Sequence, residues 1–211
     1  MKDDRAAALA IIGVNKRIED RLAMYVGHLQ RWRNVTNLMS EDAFSQVWTR
    51  HIADSAQLLW YAPTARRWID VGSGAGFPGM VIAILLSETP GAEVHCIESN
   101  YRKCAFLQFV AREIVAPAVI HAERIELLDP SELPSLDAVT SRALAPLPRL
   151  VNYTYPWLSN GATGIFPCGR SAVMHIDGLA AASEFEVESF QNRLALDAQI
   201  VRVRRRELRQ K

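Results

Sequence analysis

The chain has 211 residues, of which 49% are hydrophobic and 22% charged, so it is long enough for one globular domain with a full core. No apolar run approaches the roughly 18 residues of a membrane span, and the charged first residues are unlike a signal peptide, which predicts a soluble, cytoplasmic protein. The three cysteines, Cys96, Cys104 and Cys168, form no CxxC pair, which argues against a disulfide framework or a zinc site.

The net charge of +1 conceals a basic C-terminus. The last ten residues carry six basic side chains against Glu207 alone, whereas residues 61–201 contain fifteen acidic and ten basic side chains. A basic end on an acidic body is compatible with nucleic acid binding, but a solvated terminus can have the same composition. The tail therefore supports an RNA partner only together with other signals.

The first sixty residues have helical periodicity. In residues 5–32 apolar side chains recur at spacings of three and four, with Gly13 as a candidate break between two helices. A further helix is predicted over residues 41–60, with Ser40 as its N-cap. We therefore predict an N-terminal helical extension, residues 1–60, packed on the core of the protein.

The remainder, residues 61–211, is predicted to be an α/β domain that forms a single structural unit with this extension. Short apolar runs alternate with helical patterns: strands are predicted at 67–71, 93–98, 118–121, 138–141, 163–166, 185–190 and 199–204, and helices at 79–86, 103–115 and 147–155. This alternation indicates a mostly parallel sheet with helices on both faces. In the last strand Val201 and Val203 should face the core, with Arg202 and Arg204 on the opposite side.

A glycine-rich turn follows the first predicted strand and opens a predicted helix. Its glycines are Gly72, Gly74 and Gly76, preceded by the carboxylate of Asp70. Glycines let a ligand approach the backbone, and the helix N-terminus offers free N–H groups. A GxGxxG dinucleotide fingerprint would need glycine where Phe77 stands, and a preceding carboxylate suits a sulfonium and an α-amino group better than a pyrophosphate. The pattern favours an S-adenosylmethionine site.

A carboxylate at the end of the second predicted strand completes a nucleoside site. Glu98 follows Gly76 by twenty-two residues, at a place where it can accept hydrogen bonds from both ribose hydroxyls. Two alternatives remain open from these residues: a tight strand-to-helix turn beside a solvated glutamate, and an NAD-type site.

Six segments of the chain carry a resemblance to a known family. They are 32–38 (WRNVTNL), 50–55 (RHIADS), the turn at 70–79, 103–107 (KCAFL), 122–126 (AERIE) and 141–147 (SRALAPL). Over residues 25–170 the chain resembles the 16S rRNA guanine-N7 methyltransferases, the glucose-inhibited division protein B (GidB, or RsmG) family. Many methyltransferases share such a turn, whereas RHIADS and SRALA in this order are specific.

The resemblance implies a Rossmann-like class I S-adenosylmethionine-dependent methyltransferase that modifies N7 of a specific guanine in 16S rRNA. It implies cofactor contacts at Gly72, Phe77, Ile125, Glu126 and Arg142. Residues 122–126 and 141–142 also follow predicted strands at the carboxyl edge of the sheet, where open α/β folds bind ligands. The full set of predicted cofactor contacts is Asp70, Gly72, Gly74, Gly76, Phe77, Glu98, Ile125, Glu126 and Arg142.

Arginines near the same edge are candidates for binding RNA. Arg124 and Arg142 could meet an RNA phosphate or the cofactor carboxylate, and both are candidates for positioning the reactants. The family often has Lys-Gly after its fifth strand, where this chain has Cys-Gly-Arg at 168–170, so Arg170 replaces that lysine or the contact is lost. The predicted RNA contacts are Arg124, Arg170, Arg205 and Arg206.

The RHIADS segment is expected to support the wall of the substrate cleft. At helical spacing Arg50 and Asp54 can pair on one helix face, while His51 points elsewhere.

The sequence offers no catalytic dyad, and the chemistry implied by the resemblance needs none. Guanine N7 has an unprotonated lone pair at neutral pH, so in-line positioning against the methyl group is the main requirement, and no metal site is predicted. A base splayed out of folded RNA needs a stacking partner, for which Phe77, Phe166 and Trp157 are candidates.

The expected partner is 16S rRNA or a small-subunit ribonucleoprotein particle, bound by a monomer. Two alternatives stay open. One is a small-molecule methyltransferase, although such enzymes usually carry a capping insertion. The other is a non-catalytic RNA-binding protein with a degenerate methyltransferase fold, which the intact glycine turn and Glu98 disfavour.

Overall fold

The N-terminal part of the molecule is helical, as its periodicity predicts. The structure, a computed structural model, describes residues 2–169 and 184–206. Helix α1 spans Lys2–Ile12 and α2 spans Lys16–Thr36, and Gly13 between them has a φ of +66°, which glycine adopts without strain. The predicted break at this glycine is therefore confirmed. None of the described helices is long and apolar enough to cross a membrane.

The next region is helical but irregular, so the prediction of one helix over residues 41–60 is wrong in detail. Helix α3 begins as predicted after the Ser40 cap, and the segment then runs as α3 (Glu41–Ser45), a π-helical turn (Trp48–Ala53), α4 (Asp54–Ala56) and a 3-10 turn (Gln57–Tyr61). The carboxylate of Asp4 in α1 accepts hydrogen bonds from the N–H groups of Trp48 and Thr49, at 3.0 and 3.1 Å. A continuous helix would bond those groups to its own carbonyls.

Seven strands form one sheet in the order β3-β2-β1-β4-β5-β7-β6. They are β1 (Arg67–Val71), β2 (Glu93–Ile97), β3 (Ala118–His121), β4 (Ala138–Thr140), β5 (Thr163–Gly169), β6 (Phe185–Gln191) and β7 (Ala198–Arg205). Strands β1 to β5 run parallel, and β7 pairs antiparallel with both β5 and β6. The predicted mostly parallel sheet is confirmed, with each predicted strand in place to within a few residues.

Helices cover both faces of this sheet. They are α5 (Gly79–Leu85), α6 (Tyr101–Glu113) and α7 (Leu147–Ser159). Leu22 and Tyr25 of α2 belong to the same buried cluster as Met80 of α5 and Phe106 of α6, so the N-terminal helices share a core with one face of the sheet. Strand order reverses between β1 and β4, and ligands of such sheets bind at the carboxyl ends of the strands beside that reversal.

The last strand alternates as predicted. Val201 and Val203 are fully buried, and the arginines between and after them point to the opposite side. There Arg202 and Arg204 both form ion pairs with Glu188 on β6, at 2.7 and 3.0 Å. Two arginines of the basic C-terminus therefore have partners within the sheet.

Candidate cofactor and substrate site

A cavity of about 530 Å³ lies at the carboxyl edge of β1, β2 and β4, beside the reversal of strand order. Its lining includes the predicted cofactor residues Gly72, Gly74, Glu98, Ile125, Glu126 and Arg142, together with the predicted RNA contact Arg124. Three other predicted cofactor residues, Asp70, Gly76 and Phe77, do not line it. The structure thus brings most of the predicted set around one space.

The three glycines of the turn have different roles, although all have positive φ. A Cβ added at Gly74 would approach only the Gly72 carbonyl oxygen, at 3.9 Å, so the space above Gly74 is open. A Cβ at Gly76 would lie 2.7 Å from the Tyr25 hydroxyl and 2.8 Å from Cβ of Met80. Gly74 is therefore the position open to a ligand, whereas Gly76 allows α2 and α5 to pack closely.

Asp70 acts on the site through the turn. Its side chain is fully buried, and its Oδ2 accepts a hydrogen bond from the N–H of Gly79 at 3.0 Å, where α5 begins. Burial raises the pKa of Asp70 to about 6. Asp70 does not line the first cavity, and its Oδ1 is buried without a hydrogen-bond partner among the described residues, so its direct contact with the cofactor stays a prediction.

Tyr25 of α2 packs against the glycine turn and stabilises it. Its place on the apolar face of α2 did not indicate this role. Its hydroxyl donates to the carbonyl of Ala75 at 2.6 Å, and its ring lies 5.5 Å from that of Phe77. The N-terminal helices therefore contribute directly to the shape of the glycine turn.

We expect Tyr25→Phe to lower the free energy of unfolding by about 1–3 kcal/mol, because the buried Ala75 carbonyl loses its partner. The affinity for S-adenosylmethionine should fall several-fold as the turn loosens. Urea denaturation and titration calorimetry measure the two effects, and Tyr101→Phe, at an exposed position on α6, is the control. An unchanged cofactor affinity in Tyr25→Phe would contradict the role given to this hydroxyl.

Glu98 is held in place for binding hydroxyl groups. Its two carboxylate oxygens accept hydrogen bonds from the N–H groups of Gly74 and Asn100, each at 2.8 Å, and the side chain is nearly buried. Each oxygen keeps acceptor capacity for a ribose hydroxyl. Together with the open space at Gly74, this carboxylate fits the nucleoside part of S-adenosylmethionine.

The far wall of the cavity offers polar groups for a base edge. Ile125 and Glu126 lie in a short 3-10 turn after β3, and the Glu126 carboxylate accepts a hydrogen bond from the Tyr153 hydroxyl at 3.0 Å. The backbone N–H of Glu126 and this hydroxyl both lower the pKa of the carboxyl group. Arg149 donates to the same hydroxyl at 2.8 Å, so these side chains are mutually ordered.

A second cavity of about 770 Å³ adjoins the first. Its described lining comes from α3 and the π-helical turn, from the end of β5, and from the loop between β6 and β7. Only Arg142 and Ala143, among the described residues, line both cavities. Ala143 has a φ of +60°, a conformation that residues other than glycine rarely adopt and that is frequent at functional sites.

Arg142 is fixed at this boundary by several contacts. Its guanidinium lies 2.8 Å from Nδ1 of His51, 3.4 Å from the carbonyl of Arg50 and 3.6 Å from a carboxylate oxygen of Asp54, and it packs over the ring of Phe77. Burial and the neighbouring cations, Arg142 and then Arg50, lower the pKa of His51 to about 4. The imidazole is therefore neutral near pH 7 and accepts a hydrogen bond from the guanidinium.

The expected pairing of Arg50 with Asp54 is wrong. In the π-helical turn the two side chains are not aligned as in a regular α-helix, and no ion pair joins them in the part of the chain that the structure describes. Asp54 instead pairs with Arg142 and accepts hydrogen bonds from the side chains of Gln57 and Asn192, at 2.8 and 2.7 Å. The segment does line the second cavity, as predicted for a cleft wall.

The aromatic residues predicted to stack on the target base are not exposed. Phe166 is fully buried, and Phe77 and Trp157 are each 5% exposed. Phe77 lies beneath His51 and Arg142, with its ring centroid 4.9 Å from that of His51. Phe77 therefore supports the boundary between the cavities, and the stacking prediction is wrong for all three rings in this structure.

The predicted RNA contacts are dispersed. Arg124 is exposed at the rim of the first cavity. Arg205 donates to the Ser159 carbonyl at 2.6 Å, and Nε of Arg206 donates to the Phe185 carbonyl at 3.1 Å; neither arginine lines the first or the second cavity. Arg170 lies outside the described residues, as does the chain beyond 206.

Comparison with known proteins identifies the family. Residues 18–201 match the model of the GidB family, described as rRNA small subunit methyltransferase G. The ribosomal RNA small subunit methyltransferase G of Methylobacterium radiotolerans is 43% identical over 95% of this chain and 94% of its own, and that of Methylobacterium nodulans is 44% identical over the same shares.

The fold has matches among solved structures. The O-methyltransferase TomG of Streptomyces achromogenes, involved in tomaymycin synthesis and solved in complex with S-adenosylmethionine, superposes with a TM-score of 0.58 at 14% identity over 91% of each chain. At that identity the match shows a shared class I methyltransferase fold. The matched family model and the curated relatives go further, and this chain belongs to the GidB family of small-subunit rRNA methyltransferases.

Proposed function

We propose that this protein transfers the methyl group of S-adenosylmethionine to N7 of a guanine in 16S rRNA. The observation that carries the proposal is the pair of cavities meeting at Arg142, one fitted to a nucleoside cofactor and the other open to a substrate base. Membership of the GidB family supports ribosomal RNA as the substrate, and the resemblance found in the sequence supports N7 of guanine as the methylated atom.

The reaction needs positioning more than acid–base chemistry. The cofactor supplies an electrophilic methyl group on a positively charged sulfur. The N7 lone pair forms the new N–C bond while the C–S bond breaks with its electron pair going to sulfur, so the positive charge moves to the purine and no proton is transferred. Glu98 and the turn at Gly74 hold the cofactor, and the boundary around Arg142 aligns the base.

The proposal includes a monomer that acts in the cytoplasm. Between an RNA and a small-molecule substrate, the second cavity favours RNA, because its described walls include exposed charged residues such as Arg50 and Asp42. The substrate is either free 16S rRNA or an assembled small-subunit particle. The test below therefore uses the two in separate reactions.

The test is methyl transfer from labelled cofactor to RNA of a strain that lacks this gene. Deproteinised 16S rRNA and intact small subunits are incubated separately with the protein, and the labelled base is mapped by chain cleavage after reduction. We expect one N7-methylated guanine in at least one arm. Label at another atom, or efficient transfer to small molecules with none to RNA, would contradict the proposal.

The cations that line the two cavities and have no ion-pair partner among the described residues are the best candidates for phosphate contact. Lys103 and Arg124 line the first cavity and Arg50 the second, and none of the three side chains forms an ion pair in the described part of the chain. Arg202 and Arg204 of β7, by contrast, are paired with Glu188 of β6, and Arg205 lies 3.5 Å from a carboxylate oxygen of Glu184. When an unpaired cation binds a phosphate, counterions condensed on the RNA are released, whereas a paired cation must first break its ion pair with the glutamate.

We expect Arg124→Gln to weaken RNA binding and to reduce the slope of log K against log salt by roughly 0.7 to 0.9, the value for one lost phosphate contact. The control is Arg112→Gln, an exposed cation on α6 that lines neither cavity. Arg205→Gln tests the tail separately. Equal slopes for Arg124→Gln and the wild-type protein, with a reduced slope for Arg205→Gln, would place the RNA on the tail instead.

A further inference from the structure

Arg142 occupies the boundary through which a methyl group would have to pass. It lines the cofactor cavity and the second cavity alike, and Ala143 is its only companion in this among the described residues. If the proposed function holds, the N7 edge of the target base faces the first cavity from the second. The groups next to N7 on that edge then lie beside the Arg142 guanidinium.

The guanidinium is held rigidly yet keeps donors to spare. A guanidinium has five N–H donors. In the described part of the chain its polar contacts are with His51, Asp54 and the Arg50 carbonyl, which use three donors at most. Its plane also packs on Phe77, at 5.2 Å from the ring centroid. At least two N–H groups therefore remain for a ligand at the boundary.

The groups beside N7 differ between guanine and adenine, so a guanidinium at this boundary can distinguish the two bases. Guanine and adenine both carry an unprotonated N7, so N7 alone cannot distinguish them. Beside N7, at C6, guanine has an oxo group that only accepts hydrogen bonds, whereas adenine has an amino group that donates. An arginine has no acceptor, so a fixed guanidinium at this place favours the oxo group and opposes the amino group.

We propose that Arg142 selects guanine by donating a hydrogen bond to its 6-oxo group, and that Asp54 is the positioning residue that holds the guanidinium for this contact. The inference rests on the proposed function and adds the chemical group by which the base is recognised. Asp54 is itself anchored by Gln57 and Asn192, which are both buried. Its carboxylate also offsets the arginine charge while positive charge develops on the purine.

The first test changes only the substrate. An rRNA fragment is assembled by ligation with guanosine, inosine or 2,6-diaminopurine riboside at the methylated position, and the rate at saturating RNA is measured with the wild-type protein. All three bases keep N7. Guanosine and inosine share the 6-oxo group, whereas guanosine and diaminopurine share the 2-amino group, so the series separates the two recognition elements.

We expect inosine to be methylated within about threefold of guanosine and diaminopurine to be at least about tenfold slower, the usual size of a base-edge mismatch. Diaminopurine within threefold of guanosine would overturn the inference, as would an inosine rate as low as that of diaminopurine. No methylation of the guanosine substrate would instead refute the proposed function, so the two failures are distinguishable.

The second test changes the protein. In Arg142→Gln the side-chain amide can donate or accept, so the guanosine-to-diaminopurine rate ratio should fall to about threefold or less. Asp54→Ala should lower the ratio as well, a readout that a purely structural role would not move. Asp20→Ala is the control, because Asp20 is an exposed carboxylate of α2 that lines neither cavity, and its ratio should match that of the wild-type protein. A wild-type ratio in Arg142→Gln would overturn the inference, and the substrate series decides alone if that variant does not fold.

Discussion

Replacing Gly74 by valine is expected to raise the dissociation constant for S-adenosylmethionine by about 100-fold or more, because the open space above this residue is where the cofactor must approach the backbone. A valine side chain would occupy that space, since a Cβ there meets nothing closer than 3.9 Å. The φ of +58° adds strain for a β-branched residue. Titration calorimetry measures the loss directly.

The strain and the steric block can be separated with a matched variant. Gly91, in the loop before β2, has a φ of +75°, and a Cβ added there would meet no atom within 4 Å, but it does not line the cofactor cavity. Gly91→Val should therefore lose a similar amount of stability while keeping wild-type cofactor affinity. Near-normal affinity in a folded Gly74→Val protein would refute the assignment of this cavity to the cofactor.

The glycine turn illustrates what local sequence can predict. The position of the turn between β1 and α5 can be predicted from the hydrophobic pattern around it. The position of Glu98 at the end of β2 can be predicted from the length of the next strand–helix unit. The different roles of the glycines could not be predicted, because they depend on what packs behind each one. Glycine is required at position 76 because the Tyr25 hydroxyl packs against it, and Tyr25 lies fifty-one residues earlier in the chain, so no pattern near the turn contains that information.

The boundary between the cavities depends even more on tertiary structure. The sequence placed Arg142 at a strand end and Asp54 on a helix, but their pairing spans 88 positions and needs the π-helical turn that Asp4 helps to form. Helical periodicity instead predicted a pair between Arg50 and Asp54. That prediction failed because intrinsic preferences of i, i+4 pairs are worth only about 0.2–0.5 kcal/mol, which a tertiary ion pair readily outweighs.

The basic tail gave the least reliable inference from composition. Six basic residues within ten suggested a nucleic acid surface, but three of them lie in β7. Of these, Arg202 and Arg204 both pair with Glu188, which precedes them by fourteen and sixteen residues. The acidic partners belong to a different part of the sequence, so a count along the chain could not reveal them. A run of basic residues in a strand therefore predicts a nucleic acid surface only if the neighbouring strand has no acidic residues opposite them.

Replacing Arg142 by alanine is expected to lower kcat/KM for rRNA methylation by about 100-fold or more, the usual effect of removing a fixed donor at a reacting centre. The substitution also leaves the Asp54 carboxylate and the His51 ring without their shared partner, so the free energy of unfolding should fall by about 1–3 kcal/mol. The contacts of Arg142 with His51 and Asp54 therefore stabilise the fold as well as the site. The assay is therefore run where the variant is fully folded.

Gln57→Met distinguishes loss of the fold from loss of the guanidinium. Gln57 is fully buried and donates to Asp54 and Asn192, but it lines neither cavity, so this variant damages the same polar network and leaves Arg142 in place. We expect a comparable loss of stability with kcat/KM within about fivefold of the wild-type value, because the reacting groups are untouched. If Gln57→Met and Arg142→Ala lost activity equally, the effect of Arg142 would be explained by stability alone. If Arg142→Ala kept full specific activity despite a lower melting temperature, the arginine would have no part in the reaction, and the base would have to be aligned by the other walls of the second cavity.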